Sequence, residues 1–171
     1  MTIFSKMTFL ILSTVLIFSA CKKDDPVLED ENELINQVKI EITDTVRQKT
    51  YTWMEGNIDT IFLFANQDHS VKIAFFGLSS NQVEIDITEE IKEENDAHQI
   101  FYTSNPSDLL SITYKDQDEN GIPVGLNMSM TSGSSKEGTL RIQLKHYAAG
   151  KDGKITSGSS DIDLEFPVVI Q

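Results

Sequence analysis

A chain of 171 residues carrying 14 Lys and Arg against 27 Asp and Glu, a formal net charge of −13, is too acidic to neutralise a phosphate backbone. Nucleic acid is therefore excluded as a partner class, and simple adhesion to anionic lipid is disfavoured for the same reason. The length suits one domain with its own core, and a single cysteine excludes an internal disulfide.

The first 20 residues have the layout of a secretory leader. Lys6 supplies the positive charge, Met7 to Ala20 is an apolar run, and Ser19-Ala20 are small residues at a cleavage point. The run is shorter than the ~20 residues a helix needs to cross a bilayer. Phe18-Ser19-Ala20-Cys21 resembles a bacterial lipobox, in which the cysteine sulfur is diacylated, the leader is cut before it and the new amino group is acylated. A thiol with no disulfide partner in an exported chain fits that use. Buried acyl chains contribute about 0.8 kcal/mol per CH₂, and two of them already make a stable anchor. The domain boundaries expected are a lipoprotein signal peptide at 1–20, lipidated Cys21 with an acidic tether at 21–33, and one β-domain at 34–171. The tether (KKDDPVLEDENE) has little to bury, and at ~3.3 Å per residue it spans up to roughly 40 Å.

Alternation dominates the chain from Leu34 onward. Leu34, Val38, Ile40 and Ile42 share one parity, and Arg47 to Met54 carries Tyr51 and Trp53 on one side. Ile58 to Phe64 reads as one strand with Ile58, Thr60, Phe62 and Phe64 in line. Val71, Ile73 and Phe75 form the next, then Val83, Ile85 and Ile87. A short helix is expected near residues 88–96, with Thr88 as its N-cap and acids in its first turn. Strand texture resumes with His98, Ile100 and Tyr102, then Leu110, Ile112 and Tyr114, then Val124, Leu126, Met128 and Met130. Leu140, Ile142, Leu144 and His146 come after a connection at 131–138, and a Gly/Ser-rich loop at 148–160 precedes the alternation that ends at Ile170. Pro167 cannot donate to a ladder and marks an edge or bulge. Eight or nine strands separated by turn signals predict an all-β antiparallel sandwich, immunoglobulin-like or fibronectin-like, with a small closed barrel as the alternative.

Two constellations are candidates for chemistry. Asp116-Gln117-Asp118-Glu119-Asn120-Gly121 spells D-x-D-x-N-G, the oxygen spacing of a Ca²⁺ loop, with Asp116, Asp118 and Asn120 as ligands. An EF-hand would place a bidentate Glu at position 127, where this chain has Asn127. The bland reading is a loop of turn formers. His98 and His146 share the apolar parity of their strands, and Glu93 or Glu94 could approach His98 from the helix, Glu94 being taken as the ligand. Together they are candidate transition-metal ligands, set against a reading as core-edge residues bonded to backbone. No G-x-S-x-G, Walker or dinucleotide fingerprint occurs, so the expectation is no catalytic residues, with a hydrolase the least favoured reading.

Lys22-Lys23-Asp24-Asp25 after Cys21 is similar to the export signal of surface lipoproteins in Bacteroidota. With it, DITEEIKEENDAHQIFY at 86–102, YKDQDENGIPVGLNM at 114–128 and SSDIDLEFPVVIQ at 159–171, the mature chain resembles a group of small Bacteroidota lipoproteins without an established function. Some of these carry transferred labels of GTP cyclohydrolase or type 1 periplasmic-binding domain. Neither label fits, because the first uses a cysteine ligand and the second needs two α/β lobes. In relatives the strand containing His146 tends to continue Glu-Pro, where this chain has Tyr147-Ala148. The resemblance implies an outer-membrane lipoprotein facing the exterior, with the periplasmic face as the alternative. The domain would then be a non-catalytic binding or accessory module for a protein or glycan, or alternatively a metal-capture or calcium-stabilised module.

Overall fold

A computed structural model of the chain describes residues 35–79, 81 and 83–171. The expected leader, Cys21, the tether and Leu34 lie outside the described residues.

Among the described residues, eleven strands form two sheets and one short helix connects them. In chain order the strands are β1 (Ile35–Thr43), β2 (Gln48–Met54), β3 (Asn57–Ile58), β4 (Ile61–Leu63), β5 (Asp68–Leu78) and β6 (Glu84–Asp86). They are followed by helix α1 (Thr88–Glu93), then β7 (His98–Asn105), β8 (Leu110–Tyr114), β9 (Asn127–Ser132), β10 (Lys136–His146) and β11 (Ser159–Ile170). The larger sheet runs β3-β2-β1-β5-β9-β8, with β6 also paired to β5, and the smaller runs β4-β11-β10-β7. The fold is an all-β sandwich and not a closed barrel. Its connectivity is of immunoglobulin type: β5-β9-β8 correspond to the B-E-D strands and β7-β10-β11 to C-F-G. The β1–β2 hairpin is added at the edge beside β5.

Period-two alternation builds the core. Val38, Ile40 and Ile42 of β1, and Val71, Ile73 and Phe75 of β5, face Leu140, Ile142 and Leu144 of β10 and the five even-numbered residues from Ile162 to Ile170 of β11. All are buried. Because successive side chains in a strand point to opposite faces, one slip of register would move this whole set into water. Leu109, Ile87 and Ile91 close the edges of the same cluster.

The expected strand from Ile58 to Phe64 is in fact two. The chain leaves the larger sheet after β3 and joins the smaller at β4, which pairs in parallel with β11. Parity inverts across the crossing, so Ile61 and Leu63 are buried while Phe62 and Phe64 are exposed. A side-chain bond from another sheet sets this: the Tyr51 hydroxyl donates to the Phe62 carbonyl at 2.9 Å and accepts from the Phe62 amide at 3.2 Å. Tyr51 thus occupies the backbone groups of an edge strand that would otherwise template another chain.

Three further expectations are corrected. Val83 and Ile85 are exposed, because β6 is a three-residue edge strand held only to the end of β5. Thr88 is not the N-cap of α1; Ile87 holds that position, and the Thr88 hydroxyl accepts from the Phe75 amide instead. The connection at 131–138 shrinks to Gly133–Ser135, since β9 runs to a buried Ser132 and β10 starts at Lys136. Pro167 sits opposite Thr139 of β10, one residue before the β4 ladder begins, so its missing N–H falls where β11 lacks a second neighbour.

Phe166→Ala, which empties a fully buried site, is expected to cost about 3–5 kcal/mol. Val46→Ala, at a side chain exposed to 91 %, stays within about 0.5 kcal/mol. Urea unfolding followed by circular dichroism measures both.

Candidate functional site

Three connections meet at one end of the sandwich: residues 87–97 between β6 and β7, 115–126 between β8 and β9, and 147–158 between β10 and β11. They correspond to the B–C, D–E and F–G loops of the immunoglobulin arrangement. One side chain ties them together. The Lys151 ammonium donates to the carbonyls of Asn95 (2.6 Å), Pro123 (3.1 Å), His98 (3.2 Å) and Ile122 (3.4 Å). It also lies 3.0 Å from Asp118 Oδ2, with side-chain exposures of 1 % for Lys151 and 0 % for Asp118. The carboxylate contact is an ion pair without the alignment of a hydrogen bond, since Oδ2 has no hydrogen-bond partner. A buried ammonium needs such an oxygen shell, because desolvation without partners costs several kcal/mol.

The two aspartates of the 116–121 loop are engaged within the fold. Asp116 accepts from the amides of Gly125 and Asn127, both at 2.7 Å. Asp118 Oδ1 accepts from Asn120 at 2.8 Å and Ile122 at 2.9 Å. Burial pushes the Asp118 carboxyl up, but the Ile122 amide, Lys151 and the Asn120 amide together hold it below its ordinary value. Asn120 is exposed. Asp116 and Asp118 do not join any group of three or more His, Cys, Asp or Glu donors among the described residues. The loop is stitched to β7 by two phenols, Tyr102 donating to Gly125 O at 2.6 Å and Tyr114 to Ile100 O at 3.0 Å. Burial keeps both protonated, with Tyr114 pushed up to about 12. Gly125 has φ +95°, and a Cβ there would meet Ile100 O at 2.8 Å, so the close approach requires glycine.

Glu94, His98 and His146 come together beside this cluster, their ligand atoms all within 4.8 Å of one another. His98 opens β7 and His146 closes β10, and the ladder sets them directly opposite. Their rings stack with centroids 4.7 Å apart and planes inclined at 17°. His98 is buried and His146 half-buried, while Glu94 is exposed. His98 Nδ1 lies 3.2 Å from the Glu94 carbonyl oxygen. Burial, and then the neighbouring His146, lower the His98 pKa; the Glu94 carbonyl and Asp161 oppose the shift without cancelling it. The residue after His146 is fixed in turn, the Tyr147 amide donating to Ala97 O at 2.8 Å.

Two features were not read from the sequence. His69, on the inward parity of β5, is buried with neither ring nitrogen hydrogen-bonded, and burial lowers its pKa. A cleft of about 520 Å³ opens on the outer face of the larger sheet against α1, lined by Lys39, Lys72 and Lys92 with Glu41 and Glu89. Among the described residues no serine or threonine hydroxyl is hydrogen-bonded to a histidine ring, and no helix is long and apolar enough to cross a membrane. Compared with known proteins, the chain matches no family model, no curated protein and no solved structure.

Lys151→Met leaves the Asp118 charge buried without its counter-ion and is expected to destabilise the domain by about 3–5 kcal/mol. The double change Lys151→Met, Asp118→Leu recovers much of that loss in the same denaturation experiment. The pH dependence has two windows. His69 and His98 are lowered from 6.5, so the unfolded chain binds their protons first, and stability is complete above that value and falls as pH drops through the folded values. Asp44, Asp118, Asp152 and Asp163 are lowered from 3.8, so their contribution persists to that point and is lost below it. Melting temperature followed downward from about pH 8 should fall in two steps, and His69→Gln should shrink only the first.

Proposed function

We propose that this chain is a lipid-anchored, non-catalytic binding module, acylated at Cys21 and presenting a ligand-binding surface at the loop end of its sandwich. The observation that carries the binding role is the pinning of three loops by one buried ammonium. Loops on a rigid scaffold are where recognition is concentrated, and loops ordered before the ligand arrives lose less entropy on binding. The anchor rests on the lipobox-like Phe18-Ser19-Ala20-Cys21 and on the absence of any second cysteine.

The Lys22-Lys23-Asp24-Asp25 stretch favours the exterior face of an outer membrane over the periplasmic one. Ile35 pairs with Gly77 at the end of β5 from which the 79–97 connection departs, so β1 begins at the end that carries the binding loops. The 13 residues between Cys21 and Ile35 allow a reach of at most ~45 Å when extended, enough to let that end turn away from lipid. A surface this acidic favours a neutral or cationic partner, a protein or a glycan, over a polyanion. Calcium is not required by the reading, since Lys151 already supplies the positive charge that faces Asp118. A Ca²⁺ titration is expected to leave the melting temperature unchanged.

Expressed in a Gram-negative host that processes lipoproteins, the native chain is expected to begin at acylated Cys21 by mass spectrometry and to remain on membranes through washing in plain buffer. Cys21→Ser should move it to the soluble fraction. A mature polypeptide that retains Met1, or a wild-type chain released by buffer alone, would contradict the anchor.

A further inference from the structure

We propose that Glu94, His98 and His146 bind one transition-metal ion of the zinc class, through an imidazole nitrogen from each histidine and a Glu94 carboxylate oxygen. The inference rests on reading the loop end as the ligand-binding end, and names what that end holds; it does not depend on the anchor at Cys21.

The donor set selects the metal. Two imidazoles and one carboxylate suit Zn²⁺, Cu²⁺ or Ni²⁺, whereas Ca²⁺ and Mg²⁺ take shells of oxygen. Three protein ligands leave a fourth position for water or for a group on a partner molecule, as in open zinc sites. The tautomer is also set. A carbonyl can only accept, so the 3.2 Å contact to Glu94 O places a proton on His98 Nδ1 and leaves the Nε2 lone pair as the metal donor. A ring N–H held by a backbone carbonyl is the usual support of a metal-binding histidine.

The scaffold is rigid where the site needs it and free where it must adjust. Backbone positions are fixed by the opposed register of His98 and His146, by Tyr147 N to Ala97 O, and by Lys151 on the carbonyls of Asn95 and His98. A tetrahedral ion with bonds of about 2.0–2.1 Å needs donors about 3.3 Å apart. Donor atoms now within 4.8 Å therefore draw together by up to about 1.5 Å. Exposed Glu94 and half-buried His146 supply that movement by side-chain rotation, while buried His98 stays in place. Parallel stacking of the two rings gives way to convergence when the ion binds.

The test uses the full chain in detergent, titrated near neutral pH with Co²⁺ and followed by visible absorption. Zn²⁺ is then added in competition, and melting temperature is recorded with and without metal. The expected result is one equivalent of Co²⁺ giving d–d bands of a four-coordinate site, their loss on Zn²⁺ addition, and a higher melting temperature with either ion. His146→Gln should weaken binding on the order of 100-fold and Glu94→Gln about tenfold, while both variants keep the wild-type circular dichroism spectrum, as neither position is buried. No d–d absorption from the folded wild-type chain, or equal affinity in His146→Gln, would overturn the site. An unacylated Cys21 would leave this result untouched, so failure of the anchor and failure of the metal site are separable.

Discussion

The arrangement depends on an ammonium group buried away from bulk solvent. Lys151 Nζ, itself on the 147–158 connection, is surrounded by four carbonyls and one carboxylate drawn from the 87–97 and 115–126 connections and the first residue of β7, and it can share only three protons among them. Removing a charge from water is expensive, and a buried ion pair is often no more stable than a well-packed apolar pair. What the charge adds is placement. An apolar side chain would tolerate many loop conformations around it, whereas five oxygens at hydrogen-bond or ion-pair distance allow few. The shell also resembles the one that a hard cation would demand, with carbonyls and a carboxylate converging on one point. The chain's own lysine supplies the positive charge that faces Asp118 of the 116–121 loop.

The geometry of this end is built outward from that fixed point. Holding Asn95 and His98 by their carbonyls sets the turn from α1 into β7, which places Glu94 beside His98. Ladder register then brings His146 opposite, and Tyr147 to Ala97 closes the third side. Each contact is local, and together they convert three loops into one surface. The strands beneath supply a rigid base through a core that is apolar from Val38 to Ile170.

Much of the fold was legible because a strand has a period of two. The alternations in β1, β5, β10 and β11 and their buried residues can be read directly from the chain, as can the shared inward parity of His98 and His146. The same period marks His69, which lies in line with Val71, Ile73 and Phe75 but stands beside turn residues that disguise it. Other features depend on partners distant in sequence. Nothing in Ile58 to Phe64 announces that the chain changes sheets, because the bond that fixes the crossing comes from Tyr51. Val83 and Ile85 look like core and are exposed because β6 has only the end of β5 to pair with. Lys151 stands in a stretch of glycine, aspartate and lysine whose composition reads as slack, and only the folded chain reveals what its ammonium meets.

The central claim is that the three connections behave as one ordered surface, and amide hydrogen exchange tests it most directly. The amides of Asn120, Ile122 and Gly125 are held by carboxylates, and those of Tyr147 and Lys151 by the carbonyls of Ala97 and Asp96. If one lysine locks all three connections, these five amides open together, with similar protection well above that of a free loop. Fast exchange at 118–125 and 147–151, at unrelated rates and without protection, would contradict the account.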